Sequence, residues 1–459
     1  ALPDPGSRGQ GTAVTRVESE LPPTRILARP EHTLSRRNIS NEAIKVLYRL
    51  HRSGYLAYMV GGGVRDLLLG QKPKDFDIGT NARPQEVRRL FRNSRIIGRR
   101  FRLVHVFFRN EIVEVATFRA SPEAPEGPDD WEEAEQEAME EEAPDGPVAR
   151  PAADDSYGTP AEDARRRDFT VNALFYNIAD FSVLDYVGGL GDLEAGLIRT
   201  IGDPEKRFRE DPVRMMRALE YSVRLGFALD EASRSSIESS HHLIQDASAP
   251  RLSYELLEGL RSGSGAGICS AWQRSGILQF AFPELDLDAA TVTKVLPAVD
   301  HGIGRAVSYP DASLIGALFL SRYYELLRSI AGDGERLDNT ELLGGLREMI
   351  EPAAATMHLS NHTVHLIHHG LFTLSKMRRP PERGRQVLKV VRQDYFPVAW
   401  DLHSLAAAAG FLPRDVFESW QRAVARVRRG QPEDVVVEGG RAPARSRHRR
   451  RPRSRRRRR

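Results

Sequence analysis

Two short runs hold residue types whose spacing could do chemistry together: Val60-Gly61-Gly62-Gly63-Val64-Arg65-Asp66, and shortly after it Asp75-Phe76-Asp77-Ile78. Leu56 to Val60 predicts a short apolar strand, and Val64 to Leu69 a helical turn. A strand that breaks at glycines and enters a helix is a phosphate site in outline. Glycine lets a triphosphate approach the backbone, whose N–H groups face the anion. The i, i+2 spacing of Asp75 and Asp77 places both carboxylates on one face of a strand, with Phe76 and Ile78 on the core-facing side. Carboxylates held side by side repel unless a cation sits between them. Beside a phosphate-binding turn that cation is Mg²⁺, a hard ion that takes one or two carboxylates plus substrate phosphate oxygens. Either run alone is commonplace, a turn or a solvated acid pair. Their joint occurrence in one strand–turn–helix–strand unit favours the functional reading.

The surrounding pattern supplies elements to hold these residues. Ser40 can cap a helix whose apolar positions Ala43, Val46, Leu47 and Leu50 follow helical spacing, with Gly54 ending it. Pro84 opens another, burying Val87, Leu90 and Phe91. Ile96 to Val106 reads as strand, basic turn (Arg99, Arg100) and strand, and Ile112 to Phe118 as a further strand. Glu114 on that strand is either an additional carboxylate for the metal site or an ordinary strand-end acid, and the second reading is favoured. Ser121 to Asp155 is acidic and broken by prolines, and is expected to form a mobile loop beside the site. The sheet pattern resumes at Arg166-Arg167-Asp168-Phe169-Thr170-Val171-Asn172-Ala173. Further on, Asp211 and Pro212 read as the N-cap and first position of a helix that carries Arg214 and Arg217 one turn apart on one face. Glu231 to about Arg429 is helical by pattern, including Tyr254 to Arg261, Ala312 to Ile330, Thr340 to Ile350, Val364 to Met377 and Phe417 to Val427. His358, His362, His365, His368 and His369 invite a metal reading, but no acid sits between His365 and His369, and ordinary helix histidines are the favoured interpretation.

GGGVRDLLLG followed by DFDIGT resembles the signature of the class II nucleotidyltransferases, the superfamily of bacterial poly(A) polymerases and CCA-adding enzymes. The run from Arg166 to Ala173 is similar to the family's RRDFTxNA motif. The resemblance implies that Arg166 and Arg167 reach the triphosphate and that Asp168 joins Asp75 and Asp77 as the third catalytic carboxylate. It also implies nucleotide binding by Gly61, Gly62, Arg65, Asp66, Asn172 and Arg217, with Asp211 and Arg214, in the EDxxR stretch, reading the base. The chain departs from the family's RAxRFA at Arg217-Ala218-Leu219-Glu220-Tyr221-Ser222, where Glu220 stands in place of an arginine. Ile97 to Val106 and the arginine-rich end are similar to the poly(A) polymerase branch. Implied are two Mg²⁺ ions held at Asp75 and Asp77 with Asp168, ATP as substrate, RNA 3′ ends as acceptors and RNA-decay proteins among the partners. Basic residues for RNA would be Arg99, Arg100, Arg449, Arg450 and Arg451. Adenylyl transfer to RNA is the expected activity. A CCA-adding tRNA enzyme and a non-enzymatic RNA-binding protein remain open, the second disfavoured by the intact carboxylates.

The expected fold is an α+β N-terminal nucleotidyltransferase domain, a small mixed sheet with helices, followed by an all-α C-terminal region. Expected bounds are a disordered segment 1–28, a catalytic domain 29–200 with the acidic loop 121–156, a helical nucleotide- and RNA-binding domain 201–260, a helical body and RNA-binding region 261–430, and a disordered tail 431–459. Length, 459 residues, allows two to four domains with real cores. No run approaches a membrane span, the start lacks a signal-peptide core, and Cys269 alone excludes an internal disulfide framework, so a cytoplasmic location is expected. The net charge of +4 conceals two extremes. Arg441 to Arg459 holds 12 arginines and no acid, whereas Ser121 to Ser156 holds 14 acids against one arginine. A mildly basic body with a basic tail suits a polyanionic partner.

Overall fold

The computed structural model describes residues 23–98, 103–120, 157–331 and 337–429. Arg99, Arg100, the acidic stretch 121–156 and the arginine-rich stretch from Arg441, with Arg449, Arg450 and Arg451, lie outside the described residues. The first 200 residues build a mixed eight-stranded sheet from β1 (Arg25–Leu27), β2 (Ala57–Val60), β3 (Asp77–Thr80), β4 (Ser94–Ile97), β5 (Leu103–Phe107), β6 (Ile112–Thr117), β7 (Leu174–Asn177) and β8 (Val183–Asp185). Their order across the sheet is β1-β8-β7-β2-β3-β6-β5-β4. The β3–β6 pair is parallel, with Ile78 opposite Val115, and the other neighbours run antiparallel.

The central strands are buried on both faces, and the period-2 alternation divides them between two cores. Ala57, Met59, Ile78 and Tyr176 join one cluster, covered by α1 (Asn41–Arg52) through Ala43, Val46, Leu47 and Leu50. Tyr58, Val60 and Phe175 join the other, with Phe118, Ala164 and Val187. Ser40 caps α1 as expected, its Oγ accepting from the Ala43 N–H at 3.0 Å, and Gly54 follows the helix at φ +87°. The helix after the glycines, α2 (Gly62–Leu68), begins two residues earlier than the apolar pattern indicates. The third helix, α3 (Pro84–Leu90), opens on its proline and buries Val87.

Helices dominate from Pro204 onward. Pro204–Glu210 leads into Val213–Leu225, followed by Glu231–Ser240, Ala249–Arg261 and Gly265–Arg274. The N-cap of Val213–Leu225 is Pro212 rather than Asp211. The Asp211 carboxylate still accepts from the Val213 N–H at 3.2 Å, so it satisfies one of the free donors at that helix start. The stretch expected as a single helix from Ala312 to Ile330 is two, Asp311–Leu318 and Leu320–Ala331. Buried Phe319 breaks it by donating its N–H to Gly316 O in a tightened final turn.

The described residues divide into two compact units. One runs to Asp286 and includes Pro352–His358; the other comprises Leu287–Glu351 and the residues from Leu359. The second unit is helical, with its own core around Trp420, whose indole N–H donates to Arg379 O at 2.8 Å. In it, burial pushes the His403 imidazole down to about 4. His365 and His369 lie with ring centroids 4.3 Å apart, and His369 stacks on Tyr395. Among the described residues no group of three or more His, Cys, Asp and Glu could hold a metal, and no helix is long and apolar enough to cross a membrane.

Candidate active site

A cavity of about 330 Å³ opens between the glycine turn, the start of β3, the Arg167–Asn172 segment and the helices Val213–Leu225 and Ala249–Arg261. Gly61, Gly62 and Gly63 line it. Gly61 has φ +74° and ψ −142°, a conformation that side chains disfavour, and a Cβ there would lie 2.9 Å from Arg167 Nη1. The backbone angle therefore requires glycine here, and any side chain would also have to shift the Arg167 guanidinium. Asp77 begins β3 while Asp75 lies in the preceding turn, outside the strand, yet both line the cavity. Phe76 and Ile78 pack into the core on the other side, as the alternation predicts.

Seven carboxylates and five cations line the cavity. Arg65 pairs with Asp66 at 2.7 Å, Lys74 with Glu258 at 2.7 Å and Arg224 with Glu220 at 2.7 Å. Arg217 is shared by Asp168 at 2.8 Å and Glu255 at 3.4 Å, and Arg167 pairs with Asp163, 3.2 Å away behind the wall. Asp75 and Asp77 are left without an ion-pair partner among the described residues. Burial raises both above their ordinary values, Asp77 to about 6; the Lys74 charge offsets part of this at Asp75 and Arg167 part of it at Asp77, while Glu114 adds to the effect at both. Two carboxylates held together and uncompensated are the donor set that Mg²⁺ takes along with phosphate oxygens. The residues present therefore fit the metal expected from the sequence.

Asp168 is built in differently. Its Oδ2 accepts from Arg217 Nε at 3.0 Å and Nη2 at 2.8 Å, and its Oδ1 from the Phe169 N–H at 2.7 Å and Asn172 Nδ2 at 3.2 Å. Burial works against this charge, but Arg217 and these hydrogen bonds outweigh it and hold the carboxyl below its ordinary value. Asn172 also accepts from Arg65 Nη1, which joins the glycine helix to Asp168. A layer behind fixes this segment. Buried Arg207 donates Nη2 to the carbonyl oxygens of Arg166 and Arg167 at 2.5 and 3.1 Å, and Thr170 Oγ1 donates to Asp192 at 2.7 Å. Tyr221 carries Arg65, Arg217 and Arg224 within 5.0 to 5.8 Å of its ring centroid, a stack that orders three cavity guanidiniums.

Of the residues singled out in the sequence, Gly61, Gly62, Arg65, Asp66, Asp75, Asp77, Arg167, Asp168, Asn172 and Arg217 line this one cavity. Arg166, Asp211 and Arg214 do not line it. Arg166 is buried and donates to Ala120 O at 3.2 Å. Arg214 is buried and donates to Arg207 O at 3.1 Å, while Asp211 accepts from Arg251 at 2.5 Å. Glu114 lies opposite His105 on β5, 3.4 Å from its Nε2, and does not line the cavity. Sequence reasoning missed Lys74, Tyr254, Glu255 and Glu258, and saw Glu220 only as a departure from a motif. The i, i+4 pairing of Tyr254 and Glu258 on one helix was the available signal, but nothing local tied that helix to the glycine turn.

The sheet, glycine turn and carboxylate pair define a nucleotidyltransferase head. In accord with that class, the chain superposes on the CCA-adding enzyme of Bacillus stearothermophilus in complex with CTP with a TM-score of 0.57 and 25% identity, over 84% of this chain and 82% of that one. A family model described as "Poly A polymerase head domain" matches residues 57–199, and one described as "Probable RNA and SrmB- binding site of polymerase A" matches residues 226–288. Poly(A) polymerase I of Salmonella typhi is 37% identical over 409 residues, 86% of this chain and 85% of that protein. A CCA-adding enzyme of Bacillus velezensis is 35% identical over 52% of this chain and 54% of its own length. The chain belongs to the bacterial poly(A) polymerase family.

Proposed function

We propose that the protein is a polynucleotide adenylyltransferase, transferring AMP from ATP to the 3′ hydroxyl of RNA with release of pyrophosphate. The observation that carries this reading is the cavity, in which Asp75 and Asp77 stand, without an ion-pair partner among the described residues, beside a glycine turn and five cations. Likeness to poly(A) polymerase I over most of the chain supports the choice of ATP and RNA. Asp75 and Asp77 would hold Mg²⁺, which when bound would supply Lewis-acid activation of the 3′ oxygen and compensation of triphosphate charge. The glycine turn lets phosphate oxygens approach the backbone, and Arg65 and Arg167 flank that approach. Asp168 fixes Arg217 in the cavity wall, so that its positive charge is aimed before substrate arrives. Preorganised charge of this kind, with alignment of the two substrates, accounts for most of the acceleration in phosphoryl transfer.

Following the resemblance, Asp211 and Arg214 remain the proposed readers of the base, a carboxylate and a guanidinium matching its donor and acceptor edge. That role requires nucleotide binding to uncover both from their present partners. Arg214→Ala is expected to relax the preference for ATP more than it lowers total turnover. A uniform loss with all four nucleotides would assign Arg214 a purely structural part through its bond to Arg207. For the activity itself, purified protein is incubated with single-stranded RNA and each nucleotide in turn. Long tails made from ATP alone are expected. Short additions of C and A confined to truncated tRNA would identify a CCA-adding enzyme instead.

A further inference from the structure

The five cations of the cavity wall are each engaged by a carboxylate, so a cation that turns wholly to an incoming phosphate must leave one. They are not equally easy to displace. The Lys74 side chain is 68% exposed, against 3% for Arg65, 25% for Arg167, 31% for Arg217 and 32% for Arg224. Its carboxylate partner Glu258 is also held by Arg261 at 2.9 Å, so departure of Lys74 does not strip Glu258 of its cation. By contrast, freeing Arg217 would strip both Asp168 and Glu255 of their cation. An exposed ion pair contributes little stability, and a single carboxylate competes poorly with the several charges of a polyphosphate. Lysine is also suited to exchange, being a point charge on a flexible stem rather than a fixed fork.

On the reading of the site given above, we propose that Lys74 is a further phosphate-binding residue, parked on Glu258 until a substrate phosphate takes Glu258's place. The phosphate comes either from the nucleotide triphosphate or from the RNA backbone. Lys74 immediately precedes Asp75, so the exchange also draws on the turn that carries one of the two uncompensated carboxylates. The Lys74–Glu258 contact spans 184 residues and ties that turn to the Ala249–Arg261 helix.

Direct binding tests this without relying on turnover. Dissociation constants for Mg²⁺-inorganic tripolyphosphate and for a 5′-labelled RNA oligonucleotide are measured on the wild type, Lys74→Gln, Glu258→Gln and the exchanged pair Lys74→Glu with Glu258→Lys. Melting temperatures establish that each variant folds. Lys74→Gln is expected to weaken one of the two ligands about 10-fold, the typical weight of a charge-assisted contact. Tripolyphosphate weakening identifies the triphosphate as the source, RNA weakening the primer. Glu258→Gln should tighten the same ligand about 2- to 5-fold by removing the competitor. The exchanged pair should stay as weak as Lys74→Gln, because its ion pair is restored but its lysine stands on the wrong element. Wild-type affinity in the exchanged pair, or unaltered affinity for both ligands in Lys74→Gln, would overturn the proposal and reduce the contact to a structural tie. Failure of the adenylyltransferase reading would appear separately, as wild-type protein that binds tripolyphosphate and RNA but extends no primer.

Discussion

Arg217 serves two carboxylates on which burial and charge reach opposite outcomes. Asp168, which takes two of its N–H groups, is held below the usual carboxylate range despite burial. Burial drives Glu255, which takes one longer contact, up to about 7, Arg217 only partly offsetting it. The linkage has a definite sign. The folded state keeps a proton on Glu255 that the unfolded chain releases near its ordinary 4.5, so stability falls as pH rises from about 4.5 to about 7. Glu255→Gln removes that loss. It should stabilise the protein at pH 8 by on the order of 1 kcal/mol, with the advantage gone at pH 4. Urea denaturation at pH 4, 6 and 8 checks this; a variant less stable at pH 8, or offset equally at every pH, would contradict it.

Among the elements, the glycine turn is the one whose identity depends most on its surroundings. Gly61→Ala would force an alanine into a backbone region reserved for glycine and press its Cβ against Arg167 Nη1. The expected cost is about 1–3 kcal/mol of stability, with displacement of Arg167 lowering activity beyond what the stability loss explains. Chemical denaturation and initial rates at a permissive temperature separate the two effects; a variant with wild-type stability would contradict the assignment. This turn, α1, α3 and the alternation from Asp75 to Ile78 were legible because each rests on local chemistry: a cap, a proline start, a glycine turn, a period of 2. The break at Phe319 was not, since an unbroken apolar run gives no local signal of where burial tightens a turn. Nor were the cavity's ion pairs. Lys74 and Glu258 lie 184 residues apart and Arg217 and Asp168 lie 49 apart, so only the tertiary fold joins them. Arg214 illustrates the converse: its i, i+3 spacing from Arg217 was legible, but burial of one and cavity exposure of the other depend on what packs beneath.

At the scale of the whole molecule, charge is segregated along the chain. The cavity is nearly neutralised within itself, while 12 arginines without an acid stand between Arg441 and Arg459. Arginines of this density bind RNA phosphates without regard to sequence, through counterion release. Deleting 441–459 should raise KM for RNA and flatten its salt dependence, each lost contact to a single strand removing about 0.7 from the slope of log affinity against log salt. Turnover on a saturating short primer should change less than about twofold, because no arginine of that stretch belongs to a cavity motif. Primer-extension kinetics across a salt series measure all three quantities. An unaltered salt slope would place the RNA contacts elsewhere on the molecule.

The central claim is that nucleotide transfer occurs at the uncompensated pair Asp75 and Asp77. Its most direct test is single-turnover extension of an RNA primer by Asp77→Asn at saturating ATP and Mg²⁺, beside a thermal melt of the same protein in EDTA. The account predicts a rate lower by about 10³-fold or more, since the lost metal contact is worth several kcal/mol in the transition state. It also predicts a melting temperature equal to or above the wild type's, because a charge that desolvation, Glu114 and Asp75 all disfavour is gone. A variant that extends the primer within tenfold of the wild-type rate would contradict the claim.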